Sequence, residues 1–293
     1  EYIVSTNLFG IDFLSGLAYL KKNADMNGLL ADKEIHSIFS EFRFKPLKST
    51  NIDASFRREY DSQYDTFDTG RIQINNNIFK NIILRGSLGT GYRTPTPYEL
   101  YSSYGNTNLK PEKSITYDLG SEVSFKNISS KLYFGVFETK VEDIIKYSAS
   151  KYRQSTANLK TYGNEIRFET SFYDSLTTSL NYTKTHGKEN DGDSITLVPK
   201  DKIIFSFNLQ PKDNIDINTY YLFQNKSKDT KYNELPVYRS LNLNTSYSFQ
   251  KNSKVFVKFE NLLNRNNIVN RGGGTSENLG YRSPELSMYL GLK

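Results

Sequence analysis

Cysteine and tryptophan are both absent from the 293 residues, and histidine and methionine occur only twice each. Without cysteine the chain has no disulfide, no thiol nucleophile and no thiolate metal site, which fits the cytosol and the outer membrane equally well. No apolar run approaches the roughly 18 residues that a membrane-spanning helix needs, and the mean hydropathy is −0.61. That value excludes a helical membrane protein. It does not exclude a transmembrane barrel, in which every second strand residue faces a polar lumen. Clustered charge is also missing: 38 basic and 32 acidic residues are well mixed, for a net charge of +6, so the sequence carries no nucleic-acid footprint. The two histidines, His36 and His186, have no partner at metal-ligand or triad spacing. The sequence therefore supports no enzyme, no cofactor and no catalytic or metal site. There is no initiator methionine and no signal peptide, and the chain starts at Glu1 inside an apparent strand; the expectation is a fragment of a longer protein, so the missing signal sequence carries no weight.

What the chain has in plenty is aromatic residues, 22 Tyr and 19 Phe, and a period-two alternation, the signal of β-strands. Ile115, Tyr117, Leu119, Val123 and Phe125 occupy alternate positions, with Thr116, Asp118, Gly120, Glu122 and Ser124 between them. The same pattern sets Ile203, Phe205, Phe207 and Leu209 against Ile204, Ser206, Asn208 and Gln210. It also sets Leu241, Leu243, Thr245, Tyr247 and Phe249 against Asn242, Asn244, Ser246 and Ser248. Ile166, Phe168 and Phe172 alternate with Arg167, Glu169 and Ser171, and the chain closes on Leu286, Met288, Leu290 and Leu292. Helical spacing is rare, the best candidate being 95–103. Short polar turns, near 9–11, 45–48, 79–81, 126–129, 172–174, 210–213 and 250–253, alternate with longer polar loops near 23–32, 61–66, 93–112, 148–152, 187–197, 227–235 and 270–280. This alternation predicts an all-β fold, an antiparallel transmembrane β-barrel with short periplasmic turns and long extracellular loops. Fifteen strands can be counted, the first one incomplete. The face opposite the apolar one carries Arg57, Arg71, Arg85, Asp118, Glu122, Glu165, Arg167 and Glu169. Burying these in a dry sandwich core would cost several kcal/mol each, whereas a wet lumen removes the cost. Tyr19, Tyr60, Tyr92, Tyr182 and Tyr221 fall near strand ends, as an interfacial girdle requires.

The stretch 84–120 resembles a signature of TonB-dependent receptors. The matching positions are Tyr92, Arg93, Pro95, Glu99, Leu100, Gly105, Asn106, Leu109, Pro111, Glu112, Ser114 and Gly120. Further likenesses are Gly163-Asn164-Glu165, Leu197-Val198-Pro199-Lys200, Tyr238 to Leu243, Phe259 to Arg265, and Gly280-Tyr281 with Pro284. Two departures stand out: the chain ends Leu290-Gly291-Leu292-Lys293 where the family usually ends in an aromatic, and Pro284-Glu285 replaces the family's Gly-Arg. The resemblance implies a barrel of 22 strands around a plug. On that expectation residues 1–293 form the C-terminal part of the barrel, about 15 of the 22 strands, and the plug, the TonB box and the first strands lie upstream. It also implies a monomer in the bacterial outer membrane, in contact with lipid and lipopolysaccharide. Such a receptor imports a scarce nutrient chelate, cobalamin or a ferric siderophore, with energy from the TonB complex. The rival readings are a passive outer-membrane channel and a soluble β-rich binding protein.

The substrate-contact candidates are Tyr92, Arg93, Tyr98, Tyr101, Tyr104, Asn106, Tyr152 and Tyr232. Tyrosine supplies large contact area at low entropy cost with a hydrogen-bonding tip, which suits a bulky amphipathic chelate. Structural packing of the same loop is the competing reading. The glycines 86, 89 and 91 are read as keeping the lumen face small, and Gly272-Gly273-Gly274 as a flexible loop. The acidic run Glu189 to Ser194 is too short for a full calcium cage.

Overall fold

The computed structural model describes residues 1–26, 29–155, 157–189, 195–229, 233–251, 253–271 and 280–292. Tyr232, the glycines 272–274 and most of the acidic run at 189–194 lie outside the described residues.

The elements follow one another as β1 (Tyr2–Leu8), β2 (Ile11–Met26), β3 (Leu29–Leu47), β4 (Thr50–Asp61), β5 (Asp65–Phe79), β6 (Ile82–Arg93), a short helix α1 (Pro97–Tyr101), β7 (Glu112–Phe125), β8 (Ser130–Glu142), β9 (Ile145–Ser148) and β10 (Lys151–Gln154). After these come β11 (Leu159–Phe172), β12 (Leu176–Glu189), β13 (Asp201–Lys212), β14 (Ile215–Gln224), β15 (Ser227–Lys228), β16 (Glu234–Leu235), β17 (Tyr238–Gln250), β18 (Ser253–Glu260), β19 (Ile268–Asn270), β20 (Tyr281–Arg282) and β21 (Ser287–Leu292). Fifteen of the strands form one sheet in chain order, β1 to β8, then β11 to β14, β17, β18 and β21, and every pair with a described register is antiparallel. The remaining six pair as hairpins within connections. Contacts divide the chain into two compact units: Glu1–Gly120 with Phe137–Tyr162 and Gly187–Asp193, and Ser121–Val136 with Gly163–His186 and Ser194–Lys293.

In the first unit the register places Leu17, Ile38, Phe42, Phe56, Ile72, Ile74 and Leu84 on one face, and Glu41, Arg43, Asp53, Arg57, Arg71 and Arg85 on the other. The apolar side chains named here are all exposed. A water-soluble domain does not leave so continuous an apolar wall uncovered; a wall that meets lipid does. The second unit repeats the arrangement. Leu180 lies opposite Phe205, Phe205 opposite Tyr221 and Tyr221 opposite Leu241, while Thr177, Asn208, Asn218, Asn244 and Lys258 form a polar row on the other face. Few apolar side chains are buried at all. The sheet is held by its hydrogen-bond ladders and by cross-strand pairs rather than by a dry core.

The β1–β2 turn consists of Phe9 and Gly10, both with positive φ (53° and 80°), the backbone that a two-residue hairpin matching strand twist demands. Two connections are shorter than the polar runs at 23–32 and 61–66 suggest. β2 and β3 stay paired from Asn23–Asp32 to Met26–Leu29, and β5 resumes at Asp65. Polar side chains report exposure to water, not loss of the ladder. The helix is also shorter than 95–103, because Pro97 opens it and Ser102, in extended conformation, caps it. Gly89 lies opposite Arg71 on the polar face as expected, but Gly86 lies opposite Ile74 on the apolar face.

Two of the sequence motifs dovetail in the second unit. The buried Asn242 side chain accepts the Asn261 N–H (3.1 Å), and the Asn261 side chain donates to the carbonyls of Arg265 (2.9 Å) and Pro284 (3.0 Å). Asn267 pairs in both directions with the backbone of Arg239. These side-chain amides satisfy backbone groups of β17 and of the connections that meet it, which would otherwise need other partners.

Candidate functional site

Most of the predicted substrate-contact residues converge on one place in the first unit, where the connection 94–111 meets the β9–β10 hairpin. Thr96 caps α1: its side chain accepts the Glu99 N–H, and the Glu99 carboxylate accepts the Thr96 N–H at 2.7 Å, a capping box. Two prolines flank this cap and limit the unfolded alternatives of the loop. The helix seats Leu100 against Leu109 and Ile145, all three buried, with Tyr101 and Tyr152 packed on them. Each buried aliphatic side chain contributes about 1.5–3 kcal/mol relative to exposure. Gly105 makes the return possible: a Cβ there would lie 2.4 Å from the Leu100 carbonyl oxygen.

Charge then ties loop to hairpin. Arg93 donates to Glu112 through Nε and Nη2, both at 2.8 Å, and to Glu99 through Nη1 at 2.9 Å. Glu112 also accepts the Ile145 N–H at 2.8 Å, so one carboxylate joins β6, β7 and β9. Burial alone would raise the Glu99 carboxyl, but the Arg93 guanidinium and the Thr96 N–H and hydroxyl outweigh it and hold the group below its ordinary range. At the base of the same loop Lys33 pairs with the fully covered Asp61 at 2.6 Å and donates to Thr94 at 2.8 Å.

On this scaffold four tyrosines form a chain of edge contacts. Tyr98 meets Tyr152 at 6.1 Å between ring centroids, Tyr152 meets Tyr147 at 5.4 Å, and Tyr147 meets Tyr104 at 5.7 Å. Such contacts are worth about 0.5–1.5 kcal/mol each beyond burial. The Tyr152 N–H donates to the Tyr104 carbonyl (2.8 Å), and Asn106 Nδ2 donates to the Tyr152 carbonyl (3.2 Å). Burial pushes the Tyr152 hydroxyl up, with a further contribution from Tyr98, so it stays protonated at neutral pH. Tyr98, Tyr104 and Tyr147 keep about half their surface in solvent. Beside them runs a groove of about 540 Å³ lined by Leu100, Gly105, Asn106, Thr107, Asn108, Lys151, Tyr152 and Arg153. The two cations give it a positive rim.

Of the candidates read from the sequence, Tyr98, Tyr101, Tyr104, Asn106 and Tyr152 come together here. Arg93 lies beneath them, engaged by its two carboxylates. Tyr92 stands apart. It does not join an outward girdle but turns to the polar face, where it stacks on Phe67 at 4.1 Å and donates to Glu59. Tyr147 was missed by the sequence reading. Its position in a short β-run showed no loop signal, and only the hairpin's return brings it to Tyr104. Gln154 was missed too; its side chain accepts the Lys110 N–H at 2.8 Å.

Comparison with known proteins agrees with this architecture. The chain is 23% identical over 252 residues to the vitamin B12 transporter BtuB of Vibrio cholerae serotype O1, an alignment covering 79% of the chain and 40% of that protein. Among solved structures, the ferric enterobactin receptor of Pseudomonas aeruginosa superposes with a TM-score of 0.75 at 17% identity, covering 99% of this chain and 53% of that one. The siderophore receptor PirA of Acinetobacter baumannii gives 0.75 at 16%, with the same coverages. The chain thus spans about half the length of the proteins it matches. The family model described as TonB dependent receptor-like, beta-barrel matches residues 6–262, and this chain belongs to that family of bacterial outer-membrane barrels.

Proposed function

We propose that the complete protein is an outer-membrane receptor that takes up a scarce nutrient chelate, cobalamin or a ferric siderophore, with energy from TonB. In this reading the chain is the C-terminal part of the barrel, and a plug and the first strands precede it. The chelate docks on Tyr98, Tyr104, Tyr147 and Tyr152, with Asn106, Lys151 and Arg153 at the groove. TonB then pulls on the plug and opens the path. The observation that carries the reading is the tyrosine chain: four large aromatic side chains on a rigid capping-box and ion-pair scaffold, three of which, Tyr98, Tyr104 and Tyr147, are left open to solvent. Internal packing alone does not call for three exposed rings joined through Tyr152 to a positively rimmed groove. Preorganised aromatic surface with polar tips favours a bulky, partly apolar ligand, because little entropy remains to be lost on binding.

The test is chelate binding and uptake by the full-length receptor in cells that depend on it. Tyr98→Ala and Tyr104→Ala are each expected to weaken binding about ten-fold, about 1.4 kcal/mol, while the protein's amount in the outer membrane stays unchanged. Unaltered affinity in both variants, for every chelate the wild type transports, would sink the assignment of this surface. Uptake that persists without TonB would sink the energy coupling.

A further inference from the structure

On the apolar face of β2 and β3 the residue types change abruptly at one register row. Below it lie Leu17 and Ile38, opposite each other and exposed; at it lie Tyr19 and His36, rings 5.0 Å apart; above it come Lys21 opposite Glu34, then Asn23 opposite Asp32. Lys21 and Glu34 pair at 3.4 Å with nearly half of each side chain in the open. On β4 and β5 the same face runs from Phe56 and Ile72 to Arg58 and Asp68, which are joined by two hydrogen bonds of 2.7 and 2.6 Å, and then to Tyr60 and Thr66. No such charges occur on this face nearer the opposite end of these four strands. Charge on a lipid-facing wall is costly at the bilayer midplane and nearly free at the interface, and ring-and-tip side chains prefer the headgroup level.

We infer that the outer leaflet's hydrocarbon ends at Tyr19 and His36 on β2 and β3 and at Arg58 and Asp68 on β4 and β5, so that this ion pair lies among lipid headgroups. The two marks are one side-chain pair apart in register. That is the offset expected when strands tilted by about 40° cross a flat membrane, since two strand spacings then shift the level by roughly one pair. It follows that the β2–β3 hairpin leaves the membrane as a paired ribbon. From Tyr19 to Met26 it continues for seven steps of ~3.4 Å, about 24 Å along the strand, with its ladder intact to Met26–Leu29. β4 does not follow it, since pairing with β3 ends at Ile35–Asp61. On the inner side the ribbon rests on the loop after β6 through Lys33, Asp61 and Thr94.

Because this chain contains no cysteine, single nitroxide labels introduced in it report one site each once any cysteine elsewhere in the full-length receptor is replaced by serine. The full-length receptor is reconstituted in bilayers of outer-membrane lipid, and collision of each label with oxygen is compared with its collision with a water-soluble nickel chelate. One series is Leu17→Cys, Tyr19→Cys, Lys21→Cys and Asn23→Cys; the second, Ile74→Cys, Ile72→Cys and Thr66→Cys, leaves Arg58 and Asp68 intact and stands if a variant of the first does not assemble. The oxygen-to-nickel ratio is expected to fall several-fold between Leu17 and Lys21 and between Ile72 and Thr66. A crossover within one side-chain pair of these marks supports the inference. A crossover displaced further, or labels at Lys21 and Thr66 as oxygen-rich as those at Leu17 and Ile72, overturns it. None of these outcomes depends on which chelate is transported.

Discussion

At the scale of single residues, three positions carry more than their size suggests. Gly105 sits where a Cβ would collide with backbone rather than with a movable side chain. Gly105→Ala is therefore expected to unseat the return from α1 and speed protease cleavage of the 94–111 loop. Leu109 is the most buried of its cluster at 2% exposure. Leu109→Ala leaves a cavity and is expected to cost about 2–5 kcal/mol locally, visible as faster amide exchange at Ile145 and Tyr152. Glu99 brings a pH dependence. Its folded carboxyl is held below the ordinary value of 4.5, so its contribution is fully present at neutral pH and is lost as pH falls through the depressed value. Amide exchange of the loop, corrected for its intrinsic rate, should stay slow down to about pH 5 and rise below about 4. Glu99→Gln should exchange fast throughout, and a flat profile in the wild type would contradict the role given to the Arg93 clamp.

At the scale of elements, the two faces of each strand obey opposite rules. Phe205 lies between Leu180 and Tyr221 on the apolar face. Phe205→Arg is expected to destabilise the receptor in bilayers by up to about 2–4 kcal/mol if the site is near the midplane. Asn208, in the polar row with Asn218, tolerates lysine: Asn208→Lys should change stability by less than about 0.5 kcal/mol. Chemical unfolding of both variants in the same vesicles measures the contrast, and equal effects would reverse the assignment of faces. The hairpins follow a different logic. β9–β10 has four residue pairs, too few to stand alone in water. It is held by the tyrosine contacts, by Asn106 and Gln154, and by Glu112, so loop and hairpin form one unit.

At the scale of the whole molecule, the chain's two outer strands matter most. Among the described residues β1 pairs with β2 and β21 with β18, and neither has a second partner. In hydrocarbon an unpaired strand edge is untenable, and in water it recruits other edges. The 293-residue chain refolded alone in detergent is therefore expected to self-associate, whereas the complete receptor proposed above, with further strands to cover both edges, is expected to run as a monomer. Size-exclusion with light scattering distinguishes the two. A monodisperse monomer of the isolated chain would mean that the edges find another solution.

Alternation of apolar and polar residues was enough to reveal the strands and the lipid-facing side, because side-chain direction in a strand has a period of two and depends on nothing distant. The turns at 9–11, 126–129 and 172–174 were legible for the same reason: their chemistry is local. The order of Arg93, Glu99, Gly105, Asn106 and Glu112 pointed to the family, but not to what these residues do. Only the folded chain shows that Arg93 serves Glu99 and Glu112 and that Tyr92 turns to the polar face. It likewise brings Tyr147 to Tyr104 and Tyr152, and keeps 23–26 and 29–32 in the ladder. The contacts of Arg93, of Tyr92 and of Tyr147 with Tyr104 join residues 6 to 43 apart in the chain, and contacts at such separations are chosen by which groups remain unsatisfied once the sheet has formed, a quantity that no local pattern contains.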